Sequence, residues 1–116
     1  MKSVIFPKSL KKGDKIAIIS PAGAVEESQL TQTLDLIKNK GYEPVIGKHT
    51  FGKFSNGYNY SGTEEERIQD INWALNTSEI SAIWASRGGY GCQHLLKHLK
   101  LKEFKKNPKW YIGYSD

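Results

Sequence analysis

Residues 15–20 read Lys-Ile-Ala-Ile-Ile-Ser, an almost continuous apolar run that follows the turn-forming residues Lys12-Gly13-Asp14. The run shows no alternation of polar and apolar residues, so both faces of the segment are apolar. This pattern is typical of a strand that is buried on both sides within a parallel sheet. Ser20-Pro-Ala-Gly23 ends the run, and the segment therefore predicts the first strand of an α/β fold.

Three further segments predict strands, and three helical segments separate the four strands. The predicted strands are residues 15–20, 42–48, 80–86 and 109–115, and the predicted helices are residues 26–40, 63–76 and 91–100. Parallel strands joined by helical crossovers place helices on both faces of the sheet. The sequence thus predicts a three-layer α/β/α fold with a parallel, flavodoxin-like (Rossmann-like) sheet of about four strands, in the order 2-1-3-4.

Local signals support the first two helices. An apolar stripe at helical spacing runs along the first of them: Leu30, Leu34 and Ile37. Thr63-Glu-Glu-Glu66 has the form of a capping box, in which each end residue bonds the backbone amide of the other. Residues 51–62 between the second strand and this helix are rich in Gly, Asn, Ser and Tyr, and we interpret them as a loop.

Composition restricts the class of protein. The chain has 116 residues, of which 38% are hydrophobic and 25% charged, which predicts one ordinary globular domain. No apolar run approaches the roughly 20 residues that a bilayer span needs, and the N-terminal residues do not resemble a signal peptide. Cys92 is the single cysteine, which excludes an internal disulfide and a multi-cysteine metal site. A cytoplasmic location is expected.

The charge balance favours an ordinary solvated surface over a nucleic-acid interface. The chain carries 17 Lys and Arg against 12 Asp and Glu, a net charge of +5. Only Arg67 and Arg87 are arginines, whereas proteins that read nucleic acids use arginine forks on phosphates and bases. We therefore expect no nucleic-acid partner and no membrane partner.

Function in parallel α/β sheets gathers at the carboxyl ends of the strands. The loop after the third predicted strand reads Arg87-Gly-Gly-Tyr-Gly91, where glycines permit close approach of a ligand to backbone amides. It is either an oxyanion or carboxylate site or simply a tight turn between strand and helix. The fourth predicted strand ends in Gly113-Tyr-Ser-Asp116, which resembles the nucleophile elbow of hydrolases. Taken alone, this tetrapeptide is more typical of an ordinary turn or helix cap.

The motifs taken together resemble the N-terminal domain of the serine LD-carboxypeptidases, a family that includes the microcin C immunity proteins. The resemblance covers nearly the whole chain and rests on residues 10–23, 60–67, 83–91 and 107–116. It implies an enzyme that uses a Ser–His–Glu triad to cleave a peptide bond between an L-centre and a D-amino acid. The implied substrate is a murein tetrapeptide that loses its terminal D-alanine in cell-wall recycling. A microcin-type peptidyl or aminoacyl nucleotide is the alternative.

The resemblance also assigns roles to individual residues. Ser115 matches the nucleophile, while Asp116 and a glycine of the loop, Gly88 or Gly89, match the oxyanion hole. Arg87 and Tyr90 match the substrate site, and no metal ion or cofactor is implied.

In the family, a C-terminal domain supplies the Glu and the His of the triad. We therefore expect residues 1–116 to be the N-terminal, nucleophile-bearing domain, inactive alone, with the C-terminal domain absent from this chain and the full-length protein a homodimer. The histidines here are poor replacements, because His49 has no evident partner in the sequence and His94 and His98 fit a helix-surface pair better than a metal site.

Two other classes of function stay open at this stage. One is a receiver-like or flavodoxin-like binding module, although Ser20-Pro-Ala-Gly23 offers neither an acidic cluster nor a flavin loop. The other is a non-catalytic interaction fragment. If a domain is missing, apolar surface is expected near residues 110–114 and 51–62.

Overall fold

The computed structural model describes residues 7–89 and 91–113. Its strands are β1 Lys15–Ile19, β2 Glu43–Ile46, β3 Phe54–Ser55, β4 Asn59–Tyr60, β5 Ile80–Ala85 and β6 Trp110–Ile112. Its helices are α1 Glu27–Asn39, α2 Glu64–Asn76, a 3₁₀ helix Cys92–His98 and the short α3 Lys102–Lys106. None of the helices in these ranges has the length and apolar character that a membrane span requires.

The main sheet has four parallel strands in the order β2-β1-β5-β6. This confirms the predicted fold class and the predicted strand order. β1 lies at the centre, where Ile18 pairs with Ile46 on one side and with Trp84 on the other. The central place of β1 explains why its sequence is apolar without alternation.

The two faces of β1 belong to two separate hydrophobic clusters. Ile16 and Ile18 pack with Leu30 and Ile37 of α1, whereas Ala17 and Ile19 pack with α2 on the opposite face. Successive residues of a strand point to opposite faces, so one apolar run fills both layers. The sheet is thereby fixed between α1 and α2.

The predicted capping box of α2 is present. The Glu66 amide donates to the Thr63 hydroxyl at 3.1 Å, and the Thr63 amide donates to the Glu66 carboxylate at 2.9 Å. This arrangement satisfies amides that the first helical turn leaves without intrahelical partners. The bond from the Thr63 amide lowers the pKa of Glu66, because it stabilises the ionised carboxylate.

Two sequence interpretations need correction. The predicted loop 51–62 contains the β3–β4 hairpin, and the predicted third helix 91–100 is a 3₁₀ helix that ends at His98. The side chain of Asn72 ends it, by donating to the His98 carbonyl at 3.1 Å and accepting from the Lys100 amide at 2.8 Å. A contact from α2, 28 residues earlier in the chain, thus overrides the local helix signal.

Candidate functional site

The candidate site lies at the carboxyl edge of the main sheet, where β1, β5 and β6 end side by side. The Ser86 amide donates to the Ile19 carbonyl at 2.8 Å, so β5 and β1 stay paired up to the start of their loops. Gly113 directly follows β6, and a β-carbon built on it would lie 3.7 Å from that of Ala85. The loops that carry the predicted glycine site and the predicted nucleophile therefore start from neighbouring positions.

A buried network of hydroxyl groups connects the loops at this edge. The Ser20 hydroxyl donates to the Thr50 carbonyl at 2.7 Å and lies 2.5 Å from the Ser86 hydroxyl. The Ser61 hydroxyl donates to the Ser20 carbonyl. The sequence does not indicate that these hydroxyl groups are buried, because serine and threonine carry no signal of burial by themselves.

The β3–β4 hairpin folds onto the loop that follows β1. The Ala24 amide donates to the Asn59 carbonyl at 2.9 Å, and the Ser61 amide donates to the Ala22 carbonyl at 3.0 Å. The hydroxyl of Tyr58 is thereby placed against Gly23 and Gly89. Gly89 has a φ of 120°, which favours glycine, and a β-carbon there would have to displace the Tyr58 hydroxyl.

Arg87 is exposed at the rim of a cavity of about 840 Å³ between the hairpin and α1. Its guanidinium donates to the Ala24 carbonyl at 3.1 Å. Lys53 and Glu26 also line the cavity and form an ion pair at 2.6 Å. Aromatic side chains from the hairpin complete the wall: Phe54, Tyr58 and Tyr60. The cavity thus combines cationic, acidic and aromatic groups, which suits a ligand that has both polar and apolar parts.

His49 has partners, contrary to the sequence interpretation. Its Nδ1 lies 3.3 Å from a carboxylate oxygen of Glu66 and its Nε2 lies 3.2 Å from the Gln69 side-chain oxygen. Its backbone amide donates to the buried Asp70 carboxylate at 2.9 Å, and burial raises the pKa of Asp70. All three partners are on α2, so they were not evident from the sequence around position 49.

The predicted site residues fall into two groups. Arg87, Gly88 and Gly89 follow β5 at the carboxyl edge, as expected. Ser115, Asp116 and Tyr90 lie outside the described residues. Within residues 7–89 and 91–113, no three His, Cys, Asp or Glu side chains form a group that could hold a metal ion. His98 is exposed and lies 3.8 Å from Glu64.

Comparisons with known proteins agree with this architecture. The family model for the LD-carboxypeptidase N-terminal domain matches residues 16–116. The murein tetrapeptide carboxypeptidase of Pseudomonas aeruginosa is 35% identical over 104 residues, which cover 88% of this chain and 33% of that protein. The chain spans about a third of the length of the relatives that it matches.

Solved structures show the same fold. The microcin C7 self-immunity protein MccF, known from Escherichia coli, superposes with a TM-score of 0.85 at 30% identity, over 97% of this chain and 33% of that chain. The muramoyltetrapeptide carboxypeptidase from Oxalobacter formigenes superposes with a TM-score of 0.70 at 30% identity, over 88% of this chain and 33% of that chain.

Proposed function

Because this chain belongs to the LD-carboxypeptidase family, we propose that the full-length protein is a cytoplasmic serine peptidase that hydrolyses an L,D-peptide bond. The proposed substrate is a murein tetrapeptide, from which the enzyme releases the terminal D-alanine. The name of the Pseudomonas aeruginosa relative supports this substrate class.

The adjacency of the ends of β5 and β6 carries this proposal. Trp84 of β5 pairs with Ile112 of β6, and Gly113 and Ala85 then lie side by side. Ser115 follows Gly113 by two residues, and the Gly88–Gly89 pair follows Ala85 by three. Acyl transfer requires a nucleophile close to donors for the oxyanion, and adjacent strand ends are one way to bring the two together.

The proposed chemistry assigns each group a step. The Ser115 hydroxyl attacks the scissile carbonyl carbon, and a histidine base accepts its proton. The backbone amides of Asp116 and of Gly88 or Gly89 donate to the oxyanion of the tetrahedral intermediate. The C–N bond then breaks, the leaving amine of D-alanine takes the proton from the histidine, and water hydrolyses the acyl-enzyme.

Substrate binding is proposed for the cavity beside the loop of sequence Arg87-Gly-Gly-Tyr-Gly91, which we call the glycine loop. Arg87 offers positive charge for a substrate carboxylate, with which its guanidinium can form paired hydrogen bonds, whereas Lys53 is already paired with Glu26. We assign Tyr90 to the same site on the family resemblance. Tyr58 and Tyr60 extend this set with aromatic surface.

The remaining triad members are proposed to come from a C-terminal domain beyond residue 116. His49 supports this, since Glu66 and Gln69 already engage its ring near the end of β2. The three β6 residues Trp110, Tyr111 and Ile112 are between 38% and 44% exposed, although their sequence is that of a buried strand. The 116-residue chain alone is therefore proposed to be inactive, because serine needs a base within hydrogen-bond reach.

The test is to incubate the full-length protein with a murein tetrapeptide and to measure the release of D-alanine. Ser115→Ala should lower the rate by a factor on the order of 10⁴–10⁶, because the triad acts as a unit. Ser78→Ala is the matched control, since Ser78 is exposed near the opposite edge of the sheet and should not change the rate. Undiminished turnover by Ser115→Ala would refute the proposed nucleophile.

A microcin-type substrate is the second candidate, because the superposition on MccF has the higher TM-score, 0.85 against 0.70. A parallel assay with aspartyl sulfamoyl adenosine, which is bound in one of the MccF structures, separates the two. Hydrolysis of this compound without release of D-alanine from the tetrapeptide would favour the second candidate.

A further inference from the structure

Arg67 is a buried cation in the first turn of α2, with 3% of its surface exposed. Its Nε donates to the Gly62 carbonyl at 3.2 Å, and its Nη1 donates to the carbonyls of Pro21 at 3.1 Å and Gly91 at 3.0 Å. One rigid guanidinium therefore joins the loops that follow β1, β4 and β5.

The three acceptors of these hydrogen bonds are uncharged backbone carbonyls, although the Arg67 guanidinium is a buried positive charge. In the described part of the chain, no Asp or Glu forms an ion pair with Arg67, and its guanidinium carbon lies 4.6 Å from the centre of the Tyr60 ring. Burying a cation is costly unless it is well hydrogen-bonded, and here backbone carbonyls and an aromatic face provide the compensation. A planar fork with fixed donor directions holds its acceptors in one relative geometry.

Gly91, the last residue of the glycine loop, is in direct contact with this guanidinium. Gly91 has a φ of 123°, and a β-carbon there would lie 2.7 Å from Arg67 Nη1 and 2.7 Å from Cε1 of Tyr60. At the other end of the loop, the Arg87 guanidinium bonds the Ala24 carbonyl. The Tyr58 ring, which abuts Gly89, packs edge-on against Tyr60 at 5.1 Å. A continuous set of contacts thus runs from Arg67 through Tyr60 and Tyr58 to Gly89.

We propose that Arg67 is a positioning residue for the proposed hydrolysis, because it fixes the backbone at Gly91 and, through Tyr60 and Tyr58, at Gly89 in the orientation that the oxyanion requires. This inference rests on the proposed function. Arg67 acts through the Gly91 carbonyl and through Tyr60 rather than on the substrate. A misplacement of about 1 Å in such a loop is enough to cost on the order of 10²-fold in rate.

The test compares Arg67→Lys and Arg67→Met with Lys109→Met in the full-length protein. Lys109 is the matched control, because it is also buried and also donates to backbone carbonyls, those of Ala74 and Thr77, at the far end of α2. Both Arg67 variants should lower kcat by about 10- to 100-fold with little change in KM. Lys109→Met should leave kcat unchanged. Arg67→Lys should not restore the rate, because an ammonium group cannot span the three carbonyls.

A second readout does not depend on activity. The amide chemical shifts of Gly88, Gly89 and Gly91 should move in both Arg67 variants and stay unchanged in Lys109→Met. Gly91→Ala, which crowds the same guanidinium from the loop side, should reproduce the shifts of Gly88 and Gly89 if the Arg67 variants fold poorly.

The outcomes separate this inference from the function on which it rests. If the wild type is inactive but the amide shifts of the glycines still change in the Arg67 variants, the proposed hydrolysis is refuted. The conclusion that Arg67 positions these glycines would then still hold. An active wild type with unchanged kcat in the Arg67 variants, or with a change in KM alone, would overturn the positioning role.

Discussion

The hydroxyl groups of Ser20 and Ser86 lie 2.5 Å apart at the carboxyl edge of the sheet, where they join the end of β1 to the residue just before the glycine loop. Ser20 also donates to the Thr50 carbonyl, so the loop after β2 takes part in the same network. Two serines separated by 66 residues thereby set the spacing of the loops that form the candidate site.

Removal of the Ser20 hydroxyl is expected to destabilise the chain. Ser20→Ala leaves the Thr50 carbonyl without the hydroxyl donor and the Ser86 hydroxyl without this partner in a buried environment. The free energy of unfolding should fall by about 1–3 kcal/mol, measured by urea denaturation. Ser78→Ala removes an exposed hydroxyl and should change it by less than about 0.5 kcal/mol. Equal effects of the two substitutions would contradict the proposed importance of the network.

A side chain at Gly89 is expected to cost more stability than one at Gly13. Both glycines have positive φ angles, 120° and 91°, so alanine is strained at either position. A β-carbon at Gly13 meets nothing within 4 Å, whereas at Gly89 it clashes with the Tyr58 hydroxyl. Gly13→Ala should therefore show a backbone cost of about 1–3 kcal/mol, and Gly89→Ala should exceed it in the same urea experiment.

Gly89→Ala should also abolish D-alanine release by the full-length protein, while Gly13→Ala should retain it. A fully active Gly89→Ala enzyme would show that the tight approach of Tyr58 is irrelevant to the site.

Lys109 is expected to titrate well below pH 10.5. Burial lowers the pKa of Lys109 from 10.5 to about 8, because desolvation disfavours the charged ammonium. The unfolded chain binds the proton more tightly, so between about pH 8 and pH 10.5 the Lys109 contribution to stability rises with pH. An NMR titration of the Lys109 side chain should show a midpoint near pH 8.

The stability of wild type relative to Lys109→Met should increase across the same pH interval. A flat difference between the two proteins, together with an ordinary lysine midpoint, would show that Lys109 is well solvated in solution.

The 116-residue chain is expected to self-associate through its β6 side. An apolar groove of about 430 Å³ lies there, between the 3₁₀ helix, α3 and β6, and Leu96 and Leu101 at its wall are exposed. Exposed apolar patches of this kind mark interfaces. Sedimentation velocity should show association that increases with concentration. The double substitution Leu96→Gln and Leu101→Gln should weaken it, whereas Leu36→Gln, at an exposed leucine of α1, should not.

A large part of the fold was predictable because its signals are local. The apolar run 15–20 predicted a strand buried on both faces, and the capping box at Thr63 predicted where α2 begins. Strand order followed because parallel strands with helical crossovers leave few arrangements open. The position of the Arg87–Gly89 loop at the carboxyl edge follows from the same topology.

Other features depend on residues that are distant in sequence, and only the tertiary structure decided them. Nothing in the sequence indicates that the Arg67 guanidinium is buried among three loops. Nothing in the sequence indicates that α2 supplies the partners of His49. The 3₁₀ helix ends where Asn72 binds it, against the local apolar pattern. Propensity and periodicity act over a few neighbouring residues, whereas hydrogen bonds of buried polar groups form between whichever segments the fold brings together.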